Sequence, residues 1–231
     1  MHTRTNWILA CAGLLALIFA TSTPSARANL LVDPGFELNP LDTAANVLGN
    51  FPLYQGVWGV EAATITGPDG GVTPFQGLKM LNMVDDGQGG ATQGMQVTDV
   101  TSYAVLIDSG GATINMNAMF DANQNVPAAI GGVYVSFFTA NNYGSLTTFI
   151  GNTLTLDNAT GTWQPISVSG AIPAGTRWLL SQVVYSDASL MGSDGATHPS
   201  YVDAAGLTLT PEPASLGLLA FGAIALWMRR R

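Results

Sequence analysis

The sequence is poor in cysteine, histidine and basic residues, and each shortage excludes a class of function. It contains one cysteine, two histidines and seven Lys or Arg residues in 231 positions. Cys11 lies in an apolar N-terminal stretch, so the remainder has no disulfide, no thiolate metal ligand and no cysteine nucleophile. His198 is the only histidine between residues 29 and 210, which disfavours zinc and leaves a Ser-His-Asp triad without support.

The few basic residues are concentrated at the two ends of the chain. Arg4, Arg27 and Arg229–Arg231 are terminal, which leaves only Lys79 and Arg177 against fourteen acids between residues 29 and 210. That region therefore carries a net charge of −12, more acidic than the −8 of the whole chain. Nucleic acid is excluded as a partner because phosphate binding requires clustered Lys and Arg. The charge also opposes adhesion to anionic lipid.

The N-terminal segment has the three parts of a secretory signal peptide. His2 and Arg4 precede an apolar stretch from Trp7 to Ala20, and a polar stretch then ends in an Ala-x-Ala site formed by Ala26 and Ala28. We therefore predict a signal-peptide helix within residues 1–28, cleavage by signal peptidase and a mature chain that begins at Asn29. Lipoprotein acylation at Cys11 is rejected because the apolar run continues well past it.

Residues 29–210 have the pattern of a single all-β domain. Short alternating or β-branched segments recur between Gly-, Pro- and Asn-rich turns, and no stretch keeps apolar residues at helical spacing for three turns. In 114–120 the even positions form an apolar face at period two. We predict an antiparallel β-sandwich, with strands in 79–84, 95–100, 104–107, 114–120, 133–138, 147–150, 163–168, 177–185 and 201–209.

The last 21 residues have three parts in a fixed order. Pro211, Glu212 and Pro213 form an extended triplet, because each proline fixes its φ and biases the preceding residue away from the helix. An apolar run of fifteen residues (214–228) follows, and Arg229, Arg230 and Arg231 end the chain. As a helix the run would reach about 22 Å, short for a hydrocarbon core of about 30 Å. The arginines keep their end on the cytoplasmic side, so the domain before residue 211 should lie outside.

This tail (211–231) resembles the sorting domain of PEP-CTERM proteins. The resemblance implies recognition by an exosortase, transit through the inner membrane, and delivery to the cell surface or extracellular matrix of a bacterium that makes exopolysaccharide. The alternative from composition alone is that the two prolines only end the last strand and begin a short membrane anchor.

The domain also resembles carbohydrate-binding modules with a galactose-binding-like jelly roll. The resemblance rests on Asn29–Glu37 at the start, on Trp163–Val168 and Pro173-Ala174-Gly175 later, and on Tyr201-Val202-Asp203 near the end. It implies a structural calcium held by Glu37 and Asp203 with main-chain carbonyls. The second acid of the usual pair is Ala204 here, which removes one ligand. The alternatives are that both acids are solvated or that Glu37 pairs with backbone amides.

Sugar recognition requires aromatic platforms with a few fixed polar groups. Tyr54 and Trp58 lie in a segment punctuated by Gly and Pro, so we expect them to be exposed and to bind ligand, although packing is an equally good explanation. The leading interpretation is a non-catalytic, exopolysaccharide-associated surface protein, with structural calcium as the one candidate cofactor and none that the sequence requires. The alternatives are a secreted polysaccharide hydrolase, since fourteen acids could supply a pair of carboxylates, and a purely structural matrix protein.

Overall fold

The computed structural model describes residues 28–38, 51–52, 54–84, 91–186 and 189–211. Residues 1–27 of the predicted signal peptide (1–28) and the sorting tail beyond Pro211 lie outside these residues. Within the described residues, no helix is long and apolar enough to cross a membrane.

The described residues form two five-stranded antiparallel sheets. Sheet I has the strand order β1-β4-β9-β6-β7, and sheet II has the order β2-β3-β10-β5-β8. The bounds are β1 Gly59–Glu61, β2 Ala63–Thr66, β3 Met80–Met83, β4 Ala91–Asp99, β5 Ala112–Asp121, β6 Ile130–Phe138, β7 Leu146–Thr155, β8 Gln164–Ala171, β9 Trp178–Ser186 and β10 Ser200–Pro211. The predicted antiparallel β-sandwich is therefore confirmed.

The core lies between the sheets and follows from the period-two pattern. In β5, the alternate residues Ile114, Met116, Ala118 and Phe120 are buried in the main hydrophobic cluster. Leu81, Phe137 and Val183 of β3, β6 and β9 join the same cluster. Most strands thus turn one face inward, and their other residues form the outer faces of the two sheets. The edge strand β7 has no buried residue, and only its partly buried Ile150 packs against the cluster.

One local prediction is wrong, and two short strands were not predicted. Residues 104–107, predicted as a strand, lie in a short helix, α1 (Ala104–Asp108), which follows a 3-10 turn at Thr101–Tyr103. Asp99 accepts a hydrogen bond from the Thr101 N–H at 2.8 Å and so fixes this turn. A run of four apolar residues is too short for its periodicity to separate helix from strand. The strands β1 and β2, at three and four residues, were not predicted for the same reason.

The beginning of the predicted mature chain is attached to the last strand. The Asn29 side chain donates a hydrogen bond to the Ala205 carbonyl at 2.9 Å and accepts one from the Leu207 N–H at 2.9 Å. The Leu30 N–H also donates to the Leu207 carbonyl at 2.8 Å. Cleavage after Ala28 would therefore leave Asn29 held against β10.

Candidate functional site

The structure places Tyr54 and Trp58 in the interior, so the expectation that they are exposed is wrong. Tyr54 has no exposed surface and packs with Phe51, Met95 and Val97 on the outer face of sheet I. The segment around Phe51 and Tyr54 thus covers one half of that face. Trp58 is 3% exposed in the main core, and its indole N–H donates to the Asp33 carbonyl at 2.9 Å. Neither side chain can serve as an exposed platform for a ligand.

The other half of the outer face of sheet I carries an aromatic pair. Tyr134 of β6 is half-buried, and Phe149 of β7 is 61% exposed, with their ring centroids 6.5 Å apart. Glycines lie on both sides of Tyr134, with Gly151 directly opposite it in β7 and Gly132 two residues earlier in β6. A Cβ at Gly151 would overlap the Tyr134 ring, and one at Gly132 would lie 3.0 Å from it. The two glycines therefore make room for the tyrosine ring close to the sheet.

A row of hydrogen-bonded polar side chains leads across the sheet toward this aromatic pair. Gln93 of β4 donates to the Glu61 carboxylate of β1 at 2.8 Å. Gln182 of β9 donates in turn to the Gln93 side-chain carbonyl at 2.9 Å. Gln182 lies directly opposite Tyr134 in the β9–β6 pairing. Because each amide is held by its neighbour, this row presents polar groups in fixed positions beside Tyr134.

Two adjoining cavities extend the open half of sheet I. One, of about 200 Å³, is lined by Gly132, Tyr134, Thr153, Val184 and Ser186 among others. The second, of about 280 Å³, shares Ile130 and Ser186 with the first and continues to Pro127, Ser189 and Met191. Together with Tyr134 and Phe149, they form the surface that we call the sheet I groove.

The described residues that line the sheet I groove are uncharged although the domain is strongly acidic. No Asp, Glu, Lys or Arg occurs between Asp121 and Asp157, a span that contains both β6 and β7. In the five strands of sheet I only Glu61 and Asp99 are charged. A neutral, partly aromatic surface with fixed amides can bind a neutral polar chain without opposing charge.

The other predicted pair, Glu37 and Asp203, is brought together at one loop. The Glu37 carboxylate accepts the N–H groups of Leu78 and Lys79 at 2.8 and 3.0 Å. Both side chains lie near Gly35, where a Cβ would be 3.8 Å from Asp203 Oδ1 and 3.8 Å from Glu37 Cγ. Gly77, at a φ of +71°, leaves no room for a Cβ beside the Glu37 carboxylate, which lets the loop approach it. The structure thus contains the backbone pairing of Glu37 that the sequence left open as an alternative to calcium.

Asp203 is fully buried and is also satisfied mainly by backbone amides. Its two oxygens accept the N–H groups of Gln76 at 2.8 Å and Ala204 at 2.6 Å. The pKa of Asp203 is raised to about 6, mainly by burial; the amide donors oppose this rise, and the nearby charge of Glu37 contributes a smaller part of it. Among the described residues, no group of three or more acidic, histidine or cysteine side chains converges at one point. Glu37 and Asp203 could supply two carboxylates to a calcium ion, but several of their lone pairs already accept amide hydrogens.

His198 pairs with Asp194 in the loop before β10. Its Nε2 lies 3.0 Å from both carboxylate oxygens of Asp194, which is exposed. The pKa of Asp194 is lowered by the Ala196 amide first and then by His198. Within the described part of the chain, no serine or threonine hydroxyl is hydrogen-bonded to His198, so this pair does not form a triad.

Sequence reasoning missed Tyr134, Phe149, Gln93, Gln182 and Glu61. A weak signal was present in Gly132, Tyr134 and Gly151, because glycine in a strand interior often marks a close approach by a bulky group. Which strands lie side by side was not readable from the sequence. Glu61, Gln93 and Gln182 come from three strands that are distant in sequence and become neighbours only in the sheet.

The C-terminal residues 209–231 match the PEP-CTERM protein-sorting motif. The match begins within β10 and contains all residues that the sequence assigned to the sorting signal. The chain therefore carries a protein-sorting motif at its C-terminus, and that part of the interpretation is confirmed. No curated protein is similar enough to be counted as a relative.

Several solved structures are similar to this chain at low sequence identity. One is the C-terminal family 22 carbohydrate-binding module of Clostridium thermocellum Xyn10B, with a TM-score of 0.46, 11% identity, and 80% of this chain and 96% of that chain covered. A second is the xylan-binding CBM22-2 domain of Paenibacillus barcinonensis Xyn10C, with a TM-score of 0.41, 16% identity and coverage of 66% and 91%. A third is the active domain of a bacteriophage tailspike protein, with a TM-score of 0.45, 11% identity and 73% of this chain covered. The chain spans only 21% of that tailspike domain.

Proposed function

We propose that this is an exported, exosortase-sorted surface protein whose β-sandwich binds a neutral polysaccharide, without cleaving it, in the sheet I groove. The arrangement of Tyr134 carries this proposal. Its ring lies between Gly132 and Gly151, with Phe149 on one side and Gln182 on the other. An aromatic ring beside fixed amide groups matches the two needs of a sugar, whose apolar face stacks and whose hydroxyls form hydrogen bonds.

The shape and charge of the groove support a chain rather than a single sugar. The two cavities share Ile130 and Ser186, so the surface continues beyond Tyr134 toward the loop at Met191. The only charge on the polar row is Glu61, at the end away from β7. A polysaccharide rich in carboxylates would meet an acidic domain of charge −12 and would be repelled.

Affinity electrophoresis tests the proposal. The chain is run through native gels that contain soluble xylan, a mixed-linkage β-glucan or the exopolysaccharide of the host. We expect at least one neutral polysaccharide to retard the protein, and Tyr134→Ala to weaken that retardation by about tenfold or more through loss of the stacking surface. Phe149→Ala should weaken the retardation less, because Phe149 lies on the edge strand β7, farther from the row of polar side chains than Tyr134.

Phe75→Ala is the matched control. Phe75 is also half-exposed, at 50%, and also pairs with another aromatic ring, Trp163, but it lies in the loop before β3 of sheet II. Its substitution should leave retardation unchanged. Equal losses in Tyr134→Ala and Phe75→Ala, or no retardation by any neutral polysaccharide, would reject the sheet I groove as the site.

The two competing functions predict different results in the same experiment. A polysaccharide hydrolase would release reducing ends from the retarding polymer and would lose this activity when a carboxylate is neutralised, for example in Glu61→Gln. A purely structural matrix protein would neither bind nor cleave. Glu61 is hydrogen-bonded to Gln93, and no second carboxylate accompanies it in the polar row, which favours binding over cleavage.

The route of export is tested separately, by the intact mass and the cell fraction of the native protein. Sorting predicts an N-terminus at Asn29 and loss of mass at the C-terminus near residues 211–214 in the surface or extracellular fraction. A protein that keeps its whole tail in the membrane fraction would instead be a short-helix anchor.

A further inference from the structure

Asp121, the last residue of β5, is a buried carboxylate that lacks compensation. Its side chain has no exposed surface, and neither of its oxygens accepts a hydrogen bond from the described residues. The Gly161 N–H lies close enough to lower the pKa of Asp121 without meeting hydrogen-bond geometry. A buried, unpaired carboxylate is costly, so such a group is normally paired, hydrogen-bonded or bound to a metal.

Asp121 contrasts with the other buried acid, Asp203. Both are buried, but Asp203 accepts amide hydrogens on both oxygens, whereas the lone pairs of Asp121 remain available. The hydroxyls nearest to Asp121 are also directed elsewhere. Tyr185 donates to the main-chain carbonyls of Asp121 and Tyr201, and Tyr201 donates to Asp69. The tyrosine hydroxyls around Asp121 therefore have hydrogen-bond partners, whereas its carboxylate has none among the described residues.

A second acid lies in the loop next to the end of β5. This loop, 157–161, begins with Asp157, whose N–H donates to the Gln164 side chain at 2.8 Å, and Gln164 lies directly opposite Phe120, the neighbour of Asp121. One oxygen of the Asp157 carboxylate accepts the Ala159 N–H at 3.1 Å. The charge of Asp157 raises the pKa of Asp121, and the Gly161 amide at the end of the loop lowers it. The loop is attached to the chain after β5, because the Gln124 N–H donates to the Thr160 hydroxyl at 3.0 Å. Asn158 also donates to the Gln124 carbonyl at 3.3 Å. These contacts hold Asp157 beside the end of β5, where its negative charge adds to the cost of ionising Asp121.

We propose that Asp121 and Asp157 bind a divalent cation, with calcium as the fitting ion, at the end of β5 beside the 157–161 loop. Two carboxylates and no nitrogen or sulfur ligand suit a hard cation that prefers oxygen. The remaining coordination sites would be filled by main-chain carbonyls and water. A cation there would be a partner for Asp121. It would also attract both carboxylates in place of their mutual repulsion and so join the end of β5 to the 157–161 loop.

The experiment is thermal unfolding of the full chain with calcium chloride and with EDTA, together with calcium titration calorimetry. Extracellular calcium sites bind with dissociation constants of about 0.1–1 mM, so about 10 mM calcium should raise the Tm by roughly 3–10 °C. Asp121→Asn should remove this rise and lower the calcium stoichiometry by one. Asp157 is exposed, and an asparagine there can still accept the Ala159 N–H, so Asp157→Asn should keep the loop and also remove most of the rise.

Asp99→Asn, at an exposed acid in another part of the sandwich, is the matched control and should respond to calcium as the wild type does. If Asp121→Asn fails to fold, Asp157→Asn decides the result. An unchanged Tm of the wild type with calcium would overturn the proposal. A calcium response that is equal in the wild type and in Asp157→Asn would do so as well.

Discussion

The ring of Tyr134 occupies the space that a side chain at position 151 would need. Residues 134 and 151 are directly paired across β6 and β7, and a Cβ on Gly151 would overlap the ring. Tyr54 has the same relationship to Gly59 in the covered half of sheet I, where a Cβ would again meet the tyrosine ring. A glycine thus makes room for a tyrosine ring at two places on the outer face of sheet I. Gly59 does so for the buried Tyr54, and Gly151 does so for Tyr134 in the sheet I groove.

Gly151→Ala should move the Tyr134 ring away from the sheet and weaken polysaccharide retardation by several fold. The expected loss of stability is about 1–2 kcal/mol, because the half-buried ring can rotate toward solvent. Denaturant unfolding and affinity electrophoresis measure the two effects. Gly67→Ala is the control, since its Cβ would meet nothing closer than 3.7 Å. Full retention of binding in Gly151→Ala would show that the position of the Tyr134 ring is not critical.

Gln182→Ala should lower affinity for a neutral polysaccharide by about three- to tenfold, the range expected for one lost hydrogen bond to a ligand. Its effect on Tm should be small because Gln182 is only half-buried. Glu61→Gln separates charge from hydrogen bonding. It should leave the affinity for neutral polysaccharides nearly unchanged and improve binding of an acidic polysaccharide at low salt. A large loss of neutral binding in Glu61→Gln would indicate a direct role for the carboxylate.

Calcium at Glu37 and Asp203 stays a prediction, and chelation tests it against the Asp121 site. If a cation is bound at Glu37, EDTA should lower the Tm of the wild type but not that of Glu37→Gln. The glutamine carbonyl can still accept the N–H groups of Leu78 and Lys79, so the loop should remain attached. An EDTA effect that persists in Glu37→Gln and disappears in Asp121→Asn would assign the cation to the second site.

Stability should fall as pH rises between about 4 and 6. Burial raises the pKa values of Asp121 and Asp203 from 3.8 to about 6 in the folded protein. In this window the unfolded chain has released both protons while the folded chain still holds them, so rising pH favours unfolding. Each group contributes roughly 2–3 kcal/mol at most.

Denaturant unfolding in EDTA at pH 4.5 and pH 7 measures this effect, and Asp121→Asn should reduce the difference between the two pH values. A protein that gains stability over this interval would contradict the assignment. Asp108 and Asp194 act in the opposite sense at lower pH, because hydrogen bonds lower the pKa of each carboxyl.

Replacing Arg229, Arg230 and Arg231 together by serine should prevent correct sorting without changing the fold of the sandwich. The arginines are the only basic residues after Arg177, so their loss removes the charge that holds the C-terminal end in the cytoplasm. Fractionation and intact mass should reveal unprocessed protein. Arg177→Ser is the control, and it should be processed normally although it breaks the Arg177–Asp108 ion pair. Normal processing of the triple variant would show that the arginine block is dispensable.

Much of the fold could be predicted because the signals for strands are local. The alternation in β5 identified a buried face from seven consecutive residues, and the structure buries the same positions. The helix at Ala104–Asp108 escaped because four apolar residues do not define a period. The pairing of Glu37 with Asp203 was expected only from a resemblance, since 166 positions separate them in the chain.

The sequence alone determined the fold class, the absence of thiol chemistry from the sandwich and the sorting motif, because composition, period-two alternation and an ordered terminal motif are properties of neighbouring residues. The tertiary structure alone decided which groups are available. Tyr54 and Tyr134 both lie on the outer face of sheet I, but the segment around Phe51 covers only the first. Asp203 and Asp121 are both buried, but among the described residues backbone amides form hydrogen bonds only with the first. Exposure and hydrogen bonding of these groups depend on strands and loops that are distant in sequence, and so are settled only when the chain folds.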